Sequence, residues 1–121
     1  EILIGLVGSE MCIRDRAHSS SRRVFPVQTA EKLQELLAGV VAEGTGRQAA
    51  PSEGTAAGKT GTAQTGQFRD GEELKNHWFA GFYPAEKPRW TIVVMQDAQT
   101  EPEVSSAAVF ARLCDALSAG E

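Results

Sequence analysis

Apolar residues in this chain recur at two different periods, and the change of period divides it into elements. Leu33, Leu36, Leu37, Val40 and Val41 stand three and four residues apart, the spacing of one helical face. Thr29 occupies a natural N-cap position, and Gly44 and Gly46 follow where helices end. This pattern predicts a helix over 30–43 that docks through an apolar stripe. A second stripe of Phe110, Leu113, Cys114 and Leu117 predicts a terminal helix over 104–117, with Ser105 or Ser106 near its start.

Between the two stripes the pattern is that of strands. Residues 55–64 interleave threonines with Gly58 and Gly61. Threonine suits a pleated strand, and glycine inside one marks a close approach by backbone or ligand. Residues 77–83 and 89–97 read as two further strands, and the link 84–88 is short enough for a hairpin loop. The stretch from Trp90 to Met95 is apolar almost without a break, which calls for cover on both faces. One of those covers is not encoded here. Residues 65–76 are polar, hold Gly66 and Gly71, and read as a long connection. Trp78, Phe79, Phe82 and Trp90 are assigned to the core and His77 to a structural role. Asp97 and residues 101–103 are assigned to a solvated loop.

The expected fold class is therefore α+β, with three antiparallel strands, a preceding helix and a C-terminal helix. That is a thin core for a free-standing domain, so a partial domain is expected. The composition, 41% hydrophobic and 23% charged, is ordinary for a globular protein. A net charge of -4, with Arg14/Arg16 and Arg22/Arg23 as the only basic knots, argues against a nucleic-acid partner. Cys12, Cys114, His18 and His77 do not fall at metal-ligand spacing, so no metal is expected and the cysteines read as free thiols. The apolar start from Ile2 to Val7 is broken by Gly5 and has no basic leader. It is too short to span a bilayer, so any anchor is expected upstream of residue 1. Residues 8–16 resemble translated sequencing-adapter sequence. Residues 1–16 are accordingly assigned to a non-native or disordered lead, and 17–121 to the domain.

The chemistry concentrates in Gly58-Lys59-Thr60-Gly61-Thr62-Ala63-Gln64. A phosphate-binding P-loop would need glycine at position 53, where Glu53 stands, and a helix after Lys59, where Gly61, Thr62 and Gly66 are poor helix formers. Gly44-Thr45-Gly46 follows a helix, not a strand, and so is no dinucleotide fingerprint. A K-T-G strand fits better. Its edge can pair with an extended peptide, and Gly61 lets that peptide lie close. Lys59 offers positive charge to a carboxylate, while Thr60 and Thr62 offer hydroxyl donors. The backbone N–H after Gly61 can form half of an oxyanion hole.

Taken with the preceding helix, Glu43-Gly44-Thr45-Gly46 and His77-Trp78-Phe79-Ala80-Gly81-Phe82, this motif closely resembles the C-terminal portion of class B penicillin-binding proteins. The resemblance covers about residues 27–117. It implies a serine D,D-transpeptidase that cross-links peptidoglycan stem peptides through an acyl-enzyme and binds β-lactams. Lys59, Thr60, Gly61 and Thr62 would be its site residues, with no cofactor. It also implies a place outside the cytoplasmic membrane, held by an N-terminal anchor, and a possible cell-wall synthesis complex. Neither S-x-x-K nor S-x-N occurs in the chain. Thr29-Ala30-Glu31-Lys32 has the spacing but the wrong nucleophile, at a helix start. The serine is therefore expected upstream, and the chain is expected to be inactive alone. A carboxypeptidase or β-lactamase, in which water resolves the acyl-enzyme, and a non-catalytic β-lactam sensor share the K-T-G strand and stay open as alternatives.

Overall fold

The computed structural model describes residues 22–120; the lead assigned to 1–16 lies outside them. Helix α1 spans Val27–Ala42, starting three residues before the stripe suggests. Pro26, not Thr29, stands at its N-cap, with no side-chain cap, and the Pro26 carbonyl accepts from the Ala30 N–H at 3.2 Å. This first turn is solvent-exposed, so water can serve its free N–H groups in place of a hydroxyl cap. At the far end the Gly44 and Gly46 N–H groups both donate to the Val40 carbonyl, at 3.1 and 3.0 Å. A Cβ on Gly44 would stand 2.9 Å from the Val40 Cα, so this return admits no side chain.

The docking face of α1 is shorter than its apolar stripe. Val41 is buried and Leu37 and Val40 are half-buried, but Leu33 and Leu36 are exposed, Leu36 at 57%. The return at Gly44 and Gly46 ties only the last turns of α1 to the sheet, and Gly46 packs against the Phe79 ring. The earlier turns carry the stripe past it.

Strands β1 (Ala57–Arg69), β2 (Glu72–Tyr83) and β3 (Trp90–Gln99) form an antiparallel sheet in the order β1-β2-β3. The long connection expected over 65–76 is instead the outer half of a hairpin. Gln64 pairs with Lys75, the register shifts, and Phe68 and Arg69 pair with Glu73 and Glu72. Asp70 and Gly71 close it with φ of 54° and 86°, the left-handed pair of a two-residue hairpin turn. Its tip over 66–72 is solvent-exposed and Leu74 is the only buried side chain of the arm, so it carries no apolar alternation.

The α+β expectation holds, and the helices sit on one face of the sheet. Trp90, Ile92 and Val94 pack toward the core, while Thr91, Val93 and Met95 point the other way and are exposed, Val93 at 57%. The apolar run of β3 thus has one covered and one bare face. Asp97 lies within β3, exposed, and not in a loop. Helix α2 spans Ser106–Ala119, capped by Ser105, whose hydroxyl accepts from the Ala108 N–H at 3.1 Å. Under it, the fully buried Phe79 and Phe110 rings meet at 4.7 Å and 55°, a tilted contact that aromatic quadrupoles favour. Val41, Ala49, Ala56, Tyr83, Ala107 and Cys114 complete this cluster. Trp90 is half-buried against this cluster, but Phe82, half-buried, and Trp78, 38% exposed, lie on the bare face. Alternation along β2 puts Trp78 and Phe82 opposite to Phe79, so neither joins the core cluster.

Candidate functional site

Strand β1 has β2 on one side and, among the described residues, no strand on the other. Its start is pinned from behind. The Tyr83 hydroxyl donates to the Glu53 carbonyl at 3.0 Å, the Ser52 N–H to Asp115 at 2.7 Å, and the Ala85 N–H to the Thr55 carbonyl at 2.8 Å. A strand fixed in this way presents a rigid free edge, which is what an added peptide strand needs.

Lys59, Thr60, Gly61 and Thr62 pair with Ala80, Phe79, Trp78 and His77. Directly opposed residues share a face, so Thr60 and Thr62 lie on the helix side, and Lys59 and Gly61 on the bare side. The exposed Lys59 side chain reaches back across the strand. Its Nζ donates to the Thr60 carbonyl at 2.9 Å and stands 3.2 Å from Thr60 Oγ1. Thr60 Oγ1 is also 3.3 Å from Thr45 Oγ1, which belongs to the return after α1. An ammonium and hydroxyl donors therefore meet at one strand edge, an arrangement suited to a carboxylate.

The two glycines of the motif differ. A Cβ on Gly58 would stand 2.6 Å from Phe79 Cε1 and 2.7 Å from the Ala80 carbonyl oxygen, so the core itself requires glycine there. A Cβ on Gly61 would meet only the Trp78 Cβ, at 3.5 Å, an ordinary contact. Nothing inside the chain demands glycine at 61, and its absence of side chain leaves the bare face open beside Lys59.

On the helix side a pocket of about 160 Å³ lies behind the motif, walled by Thr45, Gln48, Thr60, Thr62, His77 and Ser105 among others. No acidic side chain lines it. The backbone of His77 has a structural role, since the Ser106 hydroxyl lies 2.8 Å from its carbonyl oxygen. Its imidazole Nε2 is buried without a hydrogen-bond partner among the described residues. Periodicity could not reveal this, because a strand-start histidine looks alike in sequence whether or not its ring is satisfied. The Thr29-Ala30-Glu31-Lys32 run lies in the first turns of α1, where Lys32 pairs with Glu35 at 2.7 Å. It forms no nucleophile–base pair with the K-T-G strand.

The family model described as penicillin binding protein transpeptidase domain matches residues 5–115, a stretch that begins inside the assigned lead. Stage V sporulation protein D of Bacillus subtilis (strain 168) is 35% identical over 88 residues, 70% of this chain and 13% of that protein. Penicillin-binding protein PbpB of Mycolicibacterium smegmatis is 32% identical over 111 residues, 80% of this chain and 16% of its own length. Among solved structures, the TP domain of Burkholderia pseudomallei penicillin-binding protein 3 matches with a TM-score of 0.71 at 27% identity. That match covers 88% of this chain and 35% of the other. The D,D-transpeptidase domain of a peptidoglycan glycosyltransferase from Eggerthella lenta matches with a TM-score of 0.62 at 34% identity, over 87% of this chain and 24% of that one. The chain spans only 13% and 16% of the curated relatives. With the motif, the sheet and these likenesses in agreement, the chain belongs to the penicillin-binding protein transpeptidase domain family.

Proposed function

We propose that this chain forms the K-T-G wall of a serine D,D-transpeptidase site that cross-links peptidoglycan stem peptides and is acylated by β-lactams. The observation that carries this reading is the Lys59 ammonium 3.2 Å from Thr60 Oγ1 on the free edge of β1, in a chain of this family. A stem peptide adds to that edge as an extended strand. Lys59, Thr60 and Thr62 receive its terminal carboxylate, and the Thr62 N–H supports the oxyanion. A serine from outside this chain attacks the penultimate D-Ala carbonyl. The C–N bond breaks, D-Ala leaves with a proton, and a serine ester remains. An amine from a second stem attacks that ester, forms the cross-link and returns the proton to the serine. β-Lactams acylate the same serine, the ring nitrogen taking the place of the leaving amine. Among the described residues no helix is long and apolar enough to cross a membrane. The extracytoplasmic location, and membership of a cell-wall synthesis complex, rest on the family resemblance.

The test is penicillin acylation. This chain alone forms no adduct with a fluorescent penicillin that survives boiling, whereas the complete protein carrying it does. In the complete protein, Lys59→Ala slows acylation by about 10²- to 10⁴-fold, the scale of a positioned electrostatic or acid–base group. Acylation of the folded variant at the parent rate would make Lys59 a surface lysine and remove the site assignment.

A further inference from the structure

A buried polar atom without a partner is uncommon enough in a native fold to need a reason. The His77 Nε2 is such an atom, and the polar side chains of β3 and α2 that neighbour His77 are already engaged. The Gln96 amide, opposite His77 on β3, donates to the Val104 carbonyl at 2.9 Å. The Ser106 hydroxyl lies 2.8 Å from both the His77 carbonyl and Gln96 Oε1. Ser105 caps α2 and donates to Gln48. That leaves the pocket His77 helps to wall, where Thr62, its partner across the sheet, and Thr60 hold the other side. The walls carry donors and no carboxylate, and the Lys59 ammonium stands at the Thr60 rim. Such a pocket takes an acceptor, and of acceptors it favours an anionic one.

We infer that His77 is a specificity-determining residue for the carboxylate end of the substrate. In the unliganded structure Nε2 is closed off from solvent. Turning the ring about its Cβ–Cγ bond, a broad torsion for histidine, presents Nε2–H to a carboxylate that has entered beside Thr62. Leaving Nε2 unpaired has a cost in the empty site, and binding removes it. A carboxylate ligand gains from this donor, while an ester or amide of the same ligand gains far less.

This inference rests on the transpeptidase reading, and one experiment separates the two. In the complete protein, acylation rates are measured with a penicillin and with its methyl ester, for the parent, Lys59→Ala, His77→Ala and His77→Gln. The ratio of the two rates within one preparation is independent of how much of it is folded. The ratio falls about tenfold in His77→Ala, the scale of a lost hydrogen bond to a charged group, and is partly restored in His77→Gln, which keeps an N–H donor. A merely structural histidine lowers both rates together. If Lys59→Ala slows acylation while the His77 variants keep the parent ratio, His77 has no part in carboxylate recognition and the transpeptidase reading stands. If the parent is not acylated at all, both fall.

Discussion

Gly58 lies against the ring of Phe79 so closely that a Cβ there would stand 2.6 Å from Cε1, and the K-T-G strand is thereby fastened to the buried centre of the fold. Gly58→Ala forces that ring or the Ala80 carbonyl to move, and overpacking of this kind costs about 1–3 kcal/mol. Urea unfolding measures it. Gly61→Ala, with no contact closer than 3.5 Å, is expected to unfold within about 0.5 kcal/mol of the parent and yet to slow acylation. Equal unfolding midpoints for the two variants would show that the core yields at Gly58.

Lys59 and Thr60 are separable by conservative changes. Lys59→Arg keeps the charge but alters the donor geometry, so it should restore only part of the acylation rate lost in Lys59→Ala. Thr60→Val removes the hydroxyl that lies between Thr45 and Lys59 at nearly constant volume. It should weaken recognition of carboxylate-bearing substrates more than it lowers the limiting rate. A change in the limiting rate alone would place Thr60 in the chemical step and not in recognition.

Cys114 is predicted to be inert. Burial raises its thiol pKa to about 11, and the neighbouring Asp115 charge adds to the rise. Thiolate is the reactive form, so at pH 8 only about one Cys114 in a thousand is available. In a Cys12→Ser background, iodoacetamide should modify the folded protein far more slowly than the urea-unfolded one. The same shift sets a pH dependence. Below pH 9 both states keep the proton. From about pH 9 to 11 only the unfolded chain loses it, so stability falls as pH rises through that window. Rapid alkylation of the folded protein at pH 8 would contradict the buried placement of Cys114.

Much of this fold is legible in the sequence, because the core and the signals that announce it coincide. The stripe through Phe110 and Cys114 and the cap at Ser105 mark α2, and both buried side chains and the cap lie where that pattern puts them, while Leu113 of the same stripe is exposed. Gly44 and Gly46 mark the end of α1 through a return that leaves no room for a side chain at Gly44. The outer half of the β1–β2 hairpin escapes a reading based on apolar period, since residues 66–72 at its tip are exposed and Leu74 is its only buried side chain. The Asp70-Gly71 pair is the signal that locates it, through turn geometry and not through burial. Trp78 misleads for a different reason. Aromatic residues usually seek cover, and the cover for this face is not among the described residues. At the site, the K-T-G spacing marks Lys59 to Thr62, but the unpaired His77 Nε2 emerges only in the folded chain, where it is buried.

The bare side of the sheet and the outer edge of β3 also govern how the chain behaves in solution. Thr91-Ile92-Val93-Val94-Met95 is β-prone, holds no proline and no charge, and lies on a strand paired only with β2 among the described residues. Unprotected edges with such sequences recruit further strands. Handled by itself at high concentration, the 121-residue chain is therefore a candidate for edge-to-edge self-association, with Asp97 the only charge on β3 to oppose it.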